Sequence, residues 1–79
     1  MKTFYAAVTD LFFIARITES AKFVEAKVVF NGNFEELVNR IDYQMPDGLL
    51  VDLNGFLTAD QLQEIKSKYN KTIQEHHFL

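Results

Sequence analysis

Residues 46–54 read Pro46-Asp47-Gly48-Leu49-Leu50-Val51-Asp52-Leu53-Asn54. Turn-forming residues precede a continuous apolar run at positions 49–51, and an aspartate follows it. A short apolar run between turn signals is typical of a strand that is buried on both faces of a parallel sheet. We therefore predict a strand that is buried on both faces here and expect Leu50 and Val51 to point to opposite sides of the sheet.

Upstream of this stretch, the sequence twice repeats an apolar run followed by a segment with helical spacing. The runs lie at residues 4–8 and 28–30. The two helical stripes are Phe13, Ile14, Ile17, Ala21 and Val24, then Phe34, Leu37, Val38, Ile41 and Met45. Strands that alternate with helices predict a parallel sheet with right-handed crossovers. We expect an α/β, three-layer half of a flavodoxin-like fold, (βα)3, with parallel strand order 2-1-3.

Helix boundaries and the end of the chain are predicted from capping signals. Asn33 with Glu36, and Thr58 with Gln61, have the spacing of capping boxes. The last stripe contains Leu62, Ile65, Tyr69, Ile73 and His76, and no glycine or proline follows position 59. We therefore predict one long C-terminal helix from about residue 59 to about residue 77. The alternative is a break at residues 70–71 and a fourth strand over 72–79, which is polar for an interior strand.

Composition favours a single domain without nucleic-acid or membrane partners. The 79 residues are 48% apolar and 14% aromatic and carry a net charge of −3, which fits a single domain with a rich apolar surface. Lysine and arginine are scattered, so we expect no nucleic-acid partner. The apolar runs are too short to cross a bilayer, so we expect no membrane partner. The lack of cysteine excludes disulfides and thiol chemistry, and we take the cytoplasm as the location.

The stretch at 46–54 resembles the third-strand segment of response-regulator receiver domains. The residues Val8-Thr9-Asp10-Leu11-Phe12-Phe13 are similar to the end of the first receiver strand. The resemblance covers about residues 3–56. It implies that Asp52 takes the phosphoacceptor position and that Mg²⁺ would be held by Asp10, Asp52 and the backbone carbonyl of Asn54. The sequence departs from the family at Thr9, where a second acid would stand, and lacks the lysine that contacts the phosphoryl group.

Both acids also have a structural interpretation, which we favour. Asp10 can cap the first helix, and Asp52 can hold the turn at Asn54 and Gly55. His76 and His77 are neighbours in sequence, so in a helix they cannot bind one metal ion together. We expect no catalytic residue and no cofactor, with Mg²⁺ as the only candidate.

The predicted half-fold leaves apolar surface without a cover. The third strand would be a sheet edge with unpaired backbone groups, and the long helix would extend past the sheet. Phe12, Phe23, Phe56 and Phe78 lie beside the helical stripes, which indicates an interface. We place that interface at Tyr69, Ile73, His76 and Phe78.

These features favour a non-catalytic, receiver-like protein-binding module that self-associates through its third-strand edge and its C-terminal helix. We expect a homodimer or higher oligomer, with a second protein as the other possible partner. One alternative is a phosphoacceptor receiver in which Asp52 is phosphorylated and Asp10 binds Mg²⁺. Another is an excised or designed flavodoxin-like fragment without a function of its own.

Overall fold

The computed structural model describes residues 1–52, 54–69 and 74–78, and for Tyr69 and 74–78 it describes the backbone. Within these residues, strands and helices alternate along the chain. The elements are β1 Thr3–Ala7, α1 Leu11–Phe23, β2 Lys27–Phe30, α2 Phe34–Tyr43, β3 Gly48–Asp52, α3 Ala59–Tyr69 and β4 Gln74–Phe78. None of the helices in this part of the chain is long and apolar enough to cross a membrane.

The strands form one parallel sheet in the order β2-β1-β3-β4. In the first pairing Tyr5 lies opposite Val29, and in the second it lies opposite Leu49. The apolar run at 49–51 lies in β3, which pairs with β1 on one side and with β4 on the other. The predicted α/β half flavodoxin-like fold with parallel order 2-1-3 is confirmed.

The prediction of one long C-terminal helix is wrong. The helix ends at Tyr69, and Gln74–Phe78 form a strand beside β3, with Leu50 opposite His76 and Asp52 opposite Phe78. The fourth-strand alternative is the one observed. β3 would otherwise present a row of unpaired N–H and C=O groups, and a parallel strand satisfies them even where its sequence is polar. The free β3 edge that we expected is therefore absent.

All three helices begin at the residues that the capping signals predict. Asn33 Oδ1 accepts a hydrogen bond from the backbone N–H of Glu36 at 2.8 Å. Thr58 and Gln61 form a reciprocal capping box, with both N–H to oxygen distances at 3.1 Å. Each cap satisfies backbone groups that the first turn of a helix leaves without partners.

The two sides of the sheet are covered unequally. Right-handed crossovers place α2 and α3 on one side and α1 on the other. The α2 and α3 side contains Tyr5, Ala7, Leu37, Ile41, Leu49, Val51 and Ile65. The α1 side contains Ala6, Val8 and Ile17, with Phe13, Ile14, Val28, Phe30 and Leu50 partly buried. The prediction that Leu50 and Val51 face opposite sides is confirmed.

Candidate functional site

Asp10 lies in the loop after β1 and caps α1. Its Oδ1 accepts hydrogen bonds from the backbone N–H groups of Phe12 at 2.9 Å and Phe13 at 3.1 Å. A carboxylate in this position also interacts favourably with the helix dipole. Asp10 is therefore the N-cap of α1, which is the structural role that we favoured from the sequence.

Asp52 ends β3 and is only 3% exposed. Its Oδ1 accepts the backbone N–H of Asn54 at 2.9 Å, and its carbonyl oxygen accepts the N–H of Gly55 at 2.9 Å. These bonds hold the turn between β3 and α3, as the structural interpretation of Asp52 requires. Asn54 itself is exposed.

The turn after β3 lies against the carboxyl end of β1. A Cβ atom on Gly55 would stand 3.0 Å from the carbonyl oxygen of Asp52 and 3.2 Å from that of Ala7. Phe56 and Leu57 then pack against the core. Open α/β sheets bind ligands at this end of their strands, and here the protein's own turn lies over the ends of β1 and β3.

The two aspartates share that end of the sheet, but each is bonded into its own turn. Among the described residues, no group of three or more histidine, aspartate or glutamate side chains could hold a metal ion together. The phosphoacceptor role of Asp52, and the binding of Mg²⁺ by Asp10, Asp52 and Asn54, stay predictions.

A buried polar cluster at the end of β2 was not predicted from the sequence. Asn31 is 2% exposed, and its Nδ2 donates to the carbonyl oxygens of Ala6 at 3.3 Å and Val29 at 3.1 Å. Its Oδ1 accepts from Arg40 Nε at 2.8 Å, and Arg40 also pairs with Glu36 at 3.4 Å. Both polar atoms of the Asn31 side chain are thereby satisfied, so the cluster joins β1, β2 and α2.

One surface of α1 exposes large aromatic side chains. Phe12 and Phe23 are each 82% exposed, and Arg16 and Glu19 between them are exposed as well. At about 100° per residue, these four positions fall within about 60° of arc on the helix. We call Phe12, Arg16, Glu19 and Phe23 the α1 flank.

An open groove of about 610 Å³ runs beside the α1 flank, between α1 and the sheet. Its lining includes the apolar side chains of Phe4, Phe13 and Leu50 and the polar side chains of Arg16 and Ser20. The groove is therefore continuous with the flank through Arg16.

The predicted interface at Tyr69, Ile73, His76 and Phe78 depended on an overhanging helix. Tyr69 is instead the last residue of α3, and Ile73 lies outside the described residues. The backbones of His76 and Phe78 belong to β4. Both arguments that placed an interface there, the overhang and the free β3 edge, are therefore removed.

Comparisons with protein-family models, with curated proteins and with solved structures found no match to this chain. The resemblance to receiver domains thus rests on the motif residues alone. A flavodoxin-like strand order hosts many unrelated functions, so the fold does not select one of them.

Proposed function

We propose that this protein is a non-catalytic protein-binding module that associates with a second copy of itself through the α1 side of its sheet. The observation that carries the proposal is the pair Phe12 and Phe23, both 82% exposed on the one helix of that side in the described part of the chain. Exposed apolar patches mark interaction surfaces on soluble proteins, and aromatic side chains contribute much of the binding energy there.

The unequal cover of the sheet supports the same surface. Leu49 is 1% exposed beneath α2 and α3, whereas its neighbour Leu50 is only partly buried on the α1 side. Leu50 also lines the groove beside the α1 flank. A partner on this side would bury apolar area in both places, and such burial drives association.

A second copy is the partner that the charges favour. A two-fold interface brings the same patch of two subunits together, so the patch must be complementary to itself. The α1 flank meets this condition because it carries one cation, Arg16, and one anion, Glu19, between two aromatic side chains.

The bonding of the acids supports a non-catalytic role. Asp10 and Asp52 are used by their own turns, and phosphoryl transfer needs preorganised positive groups around the developing charge. Acetyl phosphate with Mg²⁺ should leave the intact mass of the protein unchanged. A gain of one phosphoryl group that disappears in Asp52→Asn would overturn this part of the proposal.

A cytoplasmic location completes the proposal. Small domains in oxidising compartments usually depend on disulfides for stability, and the 79 residues contain no cysteine. Burial of apolar side chains and association between copies would supply the stability instead.

Sedimentation equilibrium across the micromolar range tests self-association. The apparent mass should rise from that of one chain at the lowest concentration toward that of two chains at the highest. A folded protein that keeps the mass of one chain at every concentration would overturn the proposed function.

A further inference from the structure

We infer that two copies of this protein pair α1 against α1 in antiparallel orientation, with Phe12 of each copy packed on Phe23 of the other and Arg16 paired with Glu19. This inference rests on the proposed self-association and specifies which atoms meet. It also fixes the orientation of the two copies.

The α1 flank has the residue spacing of the contact line between two paired helices. The steps from Phe12 to Arg16, to Glu19 and to Phe23 are four, three and four residues. This alternation keeps side chains on one line along a helix and is the spacing of the inward positions of coiled coils. The α1 flank spans about 16 Å, or three turns of the helix.

The order of residues along the α1 flank makes this surface complementary to a second copy of itself. Phe12 and Phe23 are equally distant in sequence from the midpoint of residues 17 and 18, and so are Arg16 and Glu19. A two-fold axis through that midpoint places each phenylalanine opposite the other phenylalanine and each charge opposite its counterpart. A parallel pair would instead align arginine with arginine and glutamate with glutamate, which is unfavourable.

The two charged side chains of the α1 flank, Arg16 and Glu19, are available for such a contact. Arg16 has no ion-pair partner among the described residues. Glu19 is 3.9 Å from Lys22 Nζ, in a pair whose side chains are both mostly exposed. Exposed pairs of this kind contribute little, so exchange of Lys22 for Arg16 of a second copy has a small energetic cost.

The expected affinity follows from the area. A phenylalanine buries on the order of 150 Å², so the four rings of a two-fold pair bury roughly 600 Å² before neighbouring side chains are added. Stable interfaces commonly bury about 1,600 Å². The pair should therefore be a weak, transient one that dissociates on dilution.

Charge exchange on the full-length chain tests the orientation. Arg16→Glu alone and Glu19→Arg alone each set like charges against each other at both contacts, so each variant should associate roughly tenfold or more weakly than the wild type. An equimolar mixture of the two variants should recover the mass of two chains, and so should the double exchange Arg16→Glu/Glu19→Arg.

The results also separate this inference from the proposed function. Failure of the wild type to associate at all overturns both. Association of the wild type that neither single exchange weakens overturns the antiparallel α1 pairing and leaves the proposed function standing. A mixture of the single variants that binds much more tightly than the wild type would indicate parallel helices and overturn the antiparallel orientation.

Aromatic variants provide an independent measure with a matched control. Phe12→Asp and Phe23→Asp should each lower the apparent mass toward one chain. Tyr43→Asp should leave it unchanged, since Tyr43 is 88% exposed on α2, on the other side of the sheet. All three side chains are exposed, so the circular dichroism and melting of the diluted protein should stay as in the wild type. Loss of association in Tyr43→Asp, or its retention in both phenylalanine variants, would overturn the inference.

Discussion

The two sides of the sheet differ in how much of their apolar surface the protein buries by itself. Beneath α2 and α3, the side chains of Leu37, Leu49 and Ile65 are almost completely buried. Across the sheet, α1 alone covers the described strands, Leu50 stays partly exposed, and Phe12 extends into solvent. The strands send apolar side chains to both sides, and in the described part of the chain two helices cover one side whereas one helix covers the other.

The adjacent leucines of β3 test this difference most strongly. Leu49→Ala should lower the free energy of unfolding by about 3–4 kcal/mol, because it leaves a cavity in a closed core. Leu50→Ala should cost about 1–2 kcal/mol, because its side chain is already partly hydrated. Urea denaturation of the diluted protein measures both, and equal losses would show that the two sides are equally closed.

Gly55 tests how tightly the turn after β3 fits the closed side. Gly55→Ala should cost about 1–3 kcal/mol, because the new methyl group would crowd the carbonyl oxygens of Asp52 and Ala7. Gly32→Ala is the matched control. Its Cβ would meet only Glu36 Oε2, at 3.7 Å, and reduced freedom of the unfolded chain should add about 0.4–1 kcal/mol of stability.

The urea denaturation midpoints of Gly55→Ala and Gly32→Ala, each compared with that of the wild type, test this prediction. Midpoints that move in opposite directions support a tight turn over the end of β1. A Gly55→Ala protein as stable as the wild type would mean that the turn has room to shift. In that case the carboxyl ends of β1 and β3 would be more accessible than Asp52, at 3% exposed, indicates.

Asp10 tests the anchoring of α1, the helix that covers the open side. Asp10→Ala should cost about 1 kcal/mol through loss of the cap, and Asp10→Asn should restore most of it, because an amide oxygen also caps. Thr9→Ala is a control at an exposed neighbour, with an expected change below about 0.5 kcal/mol. A stability of Asp10→Asn that depends on Mg²⁺ differently from the wild type would instead support the metal interpretation.

The parts of the fold that the sequence predicted depend on nearby residues. Asn33 and Thr58 cap their helices with partners three residues away, so the capping signals lie within one short segment. The parallel sheet followed from the alternation of apolar runs and helical stripes, and the order 2-1-3 from the flavodoxin-like fold typical of that alternation. The exposure of Phe12 and Phe23 was also foreseeable, because both lie off the apolar stripe of α1.

The missed parts depend on residues that only the folded chain brings together. Residues 74–78 pair with β3 because its backbone needs partners, and helical periodicity carries no information about that need. The role of Asn31 depends on Arg40 and on the carbonyl oxygen of Ala6, 25 residues earlier in the chain. In the sequence, Asn31 is indistinguishable from an ordinary turn residue before Gly32.

The smallest expected effect lies at the end of α1. Glu25 adopts φ 53°, and the N–H of Ala26 reaches back to the carbonyl oxygen of Ala21 at 3.1 Å, which is the pattern of a Schellman cap. Side chains are strained in this left-handed conformation, whereas glycine is not. Glu25→Gly should therefore raise the free energy of unfolding by about 0.5–1 kcal/mol.

Glu25→Ala separates this backbone effect from the loss of a charge. Alanine keeps a Cβ atom in the left-handed region, so it should give no comparable gain. Thermal and urea unfolding of both variants, compared at one protein concentration, decide the point. Since Glu25 is exposed and lies outside the α1 flank, the glycine variant should also self-associate as the wild type does. Equal stabilisation by glycine and alanine would trace the effect to the removed carboxylate, and α1 would then lack the strained end that its backbone angle indicates.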